Sequence, residues 1–184
     1  MKATIIVIVI ALVLVLWGVA LNNHIVALHE GINGAWAQVE TVLQRRYDLI
    51  PNLVSTVKGY AAHESKLFEE VTQMRSQWAT AKTTEDKVAA ASQLEMGLGR
   101  LIAVAEQYPD LKASANFRDL QYELAGTENR IAVERQRYNE AVRSYNTAVR
   151  QFPGSMIAAR RGFQPSTAYF EAAATAKEVP KVTF

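Results

Sequence analysis

The sequence predicts an all-α protein, with one N-terminal transmembrane helix followed by an up-and-down antiparallel four-helix bundle whose first and fourth helices are long. Three observations carry that expectation. Ala3 to Leu21 is an apolar run interrupted only by Thr4. Beyond it, apolar side chains recur every three or four positions in long blocks, the period of a helix with one buried face. No strand-like alternation appears before the tail. The organisation read from this is an anchor at 1–22, a bundle at 25–153, and a C-terminal segment at 154–184 holding a short helix or loop and an extended tail.

The anchor comes first. Its 19 residues, at about 1.5 Å each, span roughly 28 Å, which matches a bilayer core. The rival is a cleaved signal peptide, with small residues at Gly18 to Ala20 for a peptidase, but the run exceeds the usual apolar stretch of about 7–15 residues. The uncleaved anchor is the stronger reading. Lys2 is the sole basic residue before Arg45, which favours a cytoplasmic N-terminus and an extracytoplasmic soluble part.

The first bundle stripe runs Leu28, Ile32, Trp36, Val39, Leu43, Ile50, Leu53, Val57 and Tyr60, and Pro51 falls inside it. Either Asp48 caps a new helix with Pro51 in its first turn, or the helix runs on through a kink; the unbroken phase favours the kink. Gly59 offers a left-handed residue for the turn into a second stripe, Leu67, Val71, Met74 and Trp78. Thr83 or Thr84 is placed to cap the third helix, whose stripe runs from Val88 to Tyr108 and ends at Pro109. The fourth starts at Asn116, with Asp119 three residues on, and stops at Pro153 and Gly154. It should return toward the membrane end of the first, and its Tyr-Asn pairs repeat at heptad spacing.

Composition excludes several functions. The 20 Lys and Arg against 18 Asp and Glu are well mixed, so no nucleic-acid partner is expected. Cysteine is absent, which removes disulfides, thiolate metal sites and thiol nucleophiles. His24 and His29 stand on different helical faces and His63 lacks a partner histidine at ligand spacing, so no metal site is expected. No set of nucleophile, base and oxyanion donors appears, so no enzyme and no cofactor is expected.

Two charges fall on the apolar phase. Heptads extended from Val39 reach Arg46, and those from Ile131 reach Glu134. Because an unpaired buried charge is costly, an Arg46–Glu134 pair fixing register is one expectation, and snorkelling of both to the rim is the other. After Gly154, Arg160, Arg161 and Phe163 belong to a segment that either caps the open bundle end or lies on the lipid surface with arginines on headgroups. The ending "KVTF", with Val182 and Phe184, suits addition to a partner's sheet edge, against packing on its own or a neighbouring subunit.

The blocks "RRYDLIPNLV", "YPDLKA" and "TENRIA", with "FPGSMIAARRGF" and the ending "PKVTF", resemble the LemA family of bacterial membrane-anchored proteins over nearly the whole chain. The resemblance implies a single membrane helix, a helical bundle, and no established enzymatic activity or cofactor. This chain has "NNHIVALHEG" where family members often carry arginine after the anchor, so topology is not carried over. The reading that follows is a non-enzymatic, single-pass scaffold or interaction protein of the bacterial inner membrane. Its expected partners are the lipid bilayer, further copies of itself through heptad surfaces, and a membrane protein engaged by the tail. Its rivals are an adaptor or regulator of a membrane protease or signalling system bound through that tail, and a lipid-interacting envelope-remodelling protein.

Overall fold

The protein is described by a computed structural model covering residues 2–170. Every regular element among these residues is helical. The helices are α1 (Lys2–Tyr47), α2 (Ile50–Lys58), α3 (Ser65–Thr80), α4 (Thr84–Ala105), α5 (Pro109–Ala113), α6 (Ala115–Arg150) and α7 (Gly154–Arg161), with a 3₁₀ turn at Ala62–Glu64. They form two compact units, one from residues 2–37 and 136–167, the other from 38–135 and 168–170. Helices α1 and α6 contribute to both.

In the second unit the core is the periodic stripe. Val39, Leu43, Tyr47, Ile50, Leu53 and Val57 are buried with Phe68, Val71 and Trp78 of α3, Leu94, Leu98 and Leu101 of α4, and Phe117 and Leu124 of α6. Burying each such side chain contributes roughly 1.5–3 kcal/mol. Helices α3 and α4 join through a short loop, where Thr83 Oγ1 accepts from the Asp86 amide at 3.1 Å and caps α4 as its sequence predicts. Their close packing needs Gly97, because a Cβ there would fall 2.9 Å from Met74 Sδ. Helix α4 is long and apolar enough to cross a membrane, but its buried stripe makes it a core helix.

The proline does not kink a running helix. Helix α1 ends at Tyr47, Asp48 and Leu49 form a turn, and Pro51 sits in the first turn of α2, where its fixed φ is tolerated. The cap position is Leu49 rather than Asp48. A proline at 51 deprives the Tyr47 carbonyl of its usual helical donor, and Arg75 Nε of α3 donates to that carbonyl at 3.1 Å. The same guanidinium reaches Asp48 at 3.5 Å, which draws the aspartate away from capping. Apolar phase survives across the break because a two-residue turn restores it.

Other boundaries shift similarly. Gly59 ends α2 as expected but in right-handed geometry, φ −62°, so the turn follows through Ala61 rather than through a left-handed glycine. Pro109 opens the short α5 after α4 has already ended at Ala105, and α6 begins at Ala115.

In the first unit α1 and α6 run antiparallel. Trp36 packs edge-on against Tyr138 and His29 against Tyr145, at ring separations of 5.5 and 5.3 Å. The large apolar side chains from Ile5 to Val19 of α1 are exposed, a band mostly of isoleucine, valine and leucine that no described residue covers. Helix α6 stops before Pro153, and α7 turns back onto α1 with Gly154 and Ala158 buried. A Cβ at Gly154 would meet the Ala148 carbonyl oxygen at 2.2 Å, so this tight corner demands glycine.

Candidate functional site

Two constellations stand out from the apolar packing. The first is a charged layer inside the second unit. Arg46 is buried, its side chain 8 % exposed, and pairs with Glu95 of α4 at 3.1 Å and with Glu128 of α6. Arg135 approaches the same Glu95 at 3.9 Å, giving two arginines and two carboxylates in one layer. The Tyr47 hydroxyl reaches Glu95 and the Ala91 carbonyl, each at 3.5 Å, while its ring packs edge-on against Trp78. Burial, reinforced by the Glu95 charge, pushes the Tyr47 phenol well above the ordinary tyrosine range. Balanced charges that face one another across three helices suit a register device.

Arg46 is therefore core-facing as the heptad predicts, but the carboxylates seen on it are Glu95 and Glu128, where Glu134 was expected. The reason is the two-step nature of a helical stripe. From Leu124 and Ile131, steps of four reach Glu128 and Arg135, whereas a step of three from Ile131 reaches Glu134, which is half-buried. Glu95 was legible too, since Val88, Ala91, Glu95 and Leu98 follow the same alternating spacing.

The second constellation lies in the first unit, beside the end of the apolar run. Arg161 Nε donates to Asn22 Oδ1 at 3.0 Å, which ties the C-terminal end of α7 to the first polar residue after the apolar run. Phe152 and Met156 stand 78 % and 66 % exposed at this end of the unit, and Arg160 and Arg161 are exposed with them. Phe163 instead folds inward, half-buried against His29 with ring centres 6.0 Å apart. The segment thus divides its side chains between capping and exposure. The following residues lie along α6, where Asn146 Nδ2 donates to the Ser166 carbonyl and Asn146 Oδ1 accepts from the Ser166 amide, both at 2.8 Å. The Tyr145 hydroxyl donates to the Gln164 carbonyl at 3.0 Å, and burial raises its pKa.

Asn146 was not singled out by the sequence, and Phe152, which the helical period puts at the end of the apolar stripe of the fourth helix, is exposed instead of buried. Asn146 was visible only as half of a repeated Tyr-Asn pair, and nothing in the repeat distinguishes a backbone clamp from a surface amide. Val182 and Phe184 lie outside the described residues. Among the described residues, no group of three or more His, Asp or Glu side chains is arranged to hold a metal ion.

Comparison with known proteins supplies the last observation. The profile of the LemA family matches residues 35–184. Among curated proteins, magnetosome protein MamQ of Magnetospirillum gryphiswaldense is 26 % identical over 168 residues, covering 77 % of this chain and 62 % of its own length. Magnetosome protein MamQ 1 of Paramagnetospirillum magneticum is 27 % identical over 175 residues, 81 % of this chain and 64 % of its own. Protein LemA of Metamycoplasma hominis is 26 % identical over 138 residues, 74 % of this chain and 63 % of its own. The chain thus spans a little under two thirds of these relatives.

Proposed function

The chain belongs to the LemA family, and from that premise we propose that it is a single-pass, non-enzymatic helical scaffold of the bacterial inner membrane that associates with copies of itself. One observation carries the reading most directly. The apolar run and the first core positions of the bundle share one unbroken helix, α1, whose first part is exposed to its surroundings and whose later part is buried. A helix exposed over 15 consecutive apolar or small residues, 5–19, suits lipid as solvent.

Self-association is supported by exposed apolar groups on α6. Tyr122 and Val133, with Gly126 between them, fall on one helical face and leave a shallow stripe for a neighbouring helix. The absence of chemistry rests on the charged layer, whose groups face one another instead of a cleft.

Crosslinking in native membranes, followed by size measurement of the detergent-extracted protein, tests this. Species at multiples of 20.4 kDa are expected, and a protein that stays monomeric at every crosslinker concentration contradicts the self-association. Repeating the capture after deletion of Pro180–Phe184 tests the adaptor reading, because unchanged partners remove it. The lipid-interacting reading is favoured by exposed Phe152 and Met156 beside the end of the apolar run.

A further inference from the structure

A groove of about 560 Å³ opens between α1 and the end of α6, lined by Leu21, His24, Ile25 and Leu28 on one side and Arg143, Thr147 and Phe152 on the other. Its depth along α1 is informative. Leu21 closes the apolar run, and Leu28 lies seven residues on, about 10 Å further at about 1.5 Å per residue. The headgroup layer of a bilayer is roughly 5–8 Å thick on each side of the hydrocarbon core. With residues 3–21 in the bilayer, the groove therefore starts at the hydrocarbon edge, spans the headgroup layer and ends roughly 2–5 Å beyond it.

Its chemistry is graded in the same direction. Leu21 and Phe152 offer apolar surface over the buried Ile25, and Leu21 adjoins the exposed face of the apolar run. Arg143, His24 and the hydroxyls of Ser144 and Thr147 offer a cation and polar groups. Arg143 touches Glu140 at 3.2 Å, but both side chains are largely exposed, so that pair is weak and releases the guanidinium easily. A volume of this size lies within the roughly 300–1,000 Å³ common for small-molecule sites.

We propose that this groove holds one anionic phospholipid of the adjoining leaflet, with its phosphate on Arg143 and its first acyl carbons against Leu21 and Phe152. The proposal rests on the reading of residues 3–21 as a membrane anchor. A bilayer lipid is the occupant the site favours because it alone supplies a phosphate and an acyl chain at this depth. Guanidinium and phosphate match in charge and fork geometry.

The test uses the full chain in nanodiscs of phosphatidylcholine with one fifth phosphatidylglycerol, and native mass spectrometry to count the lipid each protein retains on release. Wild type should keep one phosphatidylglycerol in excess over phosphatidylcholine. Arg143→Gln should reduce that retention about tenfold, the scale of one charge-assisted hydrogen bond. Thr147→Trp, which fills the groove and keeps the charge, should reduce it similarly. Arg150→Gln, an exposed cation on the same helix that does not line the groove, should leave it unchanged. Wild-type retention in both groove variants, or equal loss in Arg150→Gln, overturns the proposal. Flotation of the same samples separates the two levels: a chain that inserts but shows no groove dependence contradicts the lipid site alone, while failure to insert contradicts the anchor as well.

Discussion

Replacing Arg46 by methionine should destabilise the protein more than any single surface change. The substitution keeps most of the side-chain length and removes the guanidinium, leaving Glu95, 19 % exposed, with only the 3.9 Å approach of Arg135 and the Tyr47 hydroxyl. Breaking a buried pair by removing one partner costs about 3–5 kcal/mol. The Glu128 arm adds little, because that side chain is 51 % exposed and water screens it, so the lower end, about 3 kcal/mol, is expected. At about 2–4 °C per kcal/mol for a chain of this size, the melting temperature should fall by about 6–12 °C. Thermal melts of the full chain in detergent, followed by far-ultraviolet circular dichroism, read this directly. Adding Glu95→Gln to Arg46→Met should recover at least half of the loss, since it removes the stranded charge. A melting temperature within about 2 °C of wild type for Arg46→Met, or a further additive drop in the double variant, refutes the layer as a coupled unit.

Three other outcomes follow from the same geometry. In alkaline spectrophotometric titration, Tyr47→Phe should abolish the highest-pH phenolate step. Because the folded pKa of Tyr47 lies above its unfolded value of about 10, its contribution to stability is full below about pH 10 and is lost as pH rises through the folded value; a variant with an unchanged alkaline unfolding midpoint contradicts this. Gly154→Ala drives a methyl into the Ala148 carbonyl and should cost at least about 2 kcal/mol, seen as a lowered melting temperature, whereas Gly99→Ala, whose Cβ meets nothing within 4 Å, should be neutral or slightly stabilising. Asn146→Ala removes two hydrogen bonds to Ser166, about 1–3 kcal/mol in all, and should speed limited proteolysis within 163–167 while leaving cleavage elsewhere unchanged.

Much of the fold was legible because its helices are amphipathic and punctuated. The stripes from Leu28 to Val57 and from Phe117 to Tyr145, the Thr83 cap and the stop at Pro153 follow from side-chain period and backbone chemistry that act locally. What escaped depends on partners far away in sequence. Pro51 alone is compatible with a kink or a new helix, and the choice turns on Arg75 waiting on α3 to receive the Tyr47 carbonyl. Arg46 was visible as a charge on a core phase, but Glu95 and Glu128 become its partners only once three helices share a layer. Phe152 escaped for a different reason: the period carries the apolar stripe of the last helix to it, but α6 ends at Arg150, and past the helix end the period no longer says which way a side chain faces.

The proposed function requires residues 3–21 to remain in the chain as a transmembrane anchor continuous with the helical part. Alkaline carbonate extraction of membranes from cells expressing the full chain, followed by flotation, tests it most directly. Wild type should stay with the floating membranes at its full 20.4 kDa. Leu12→Arg, which places a charge at the middle of the run at about 2.5–3.5 kcal/mol, should shift a measurable fraction into the soluble extract. Quantitative release of the wild-type chain by carbonate, or its recovery shortened by the first 20 or so residues, contradicts the account.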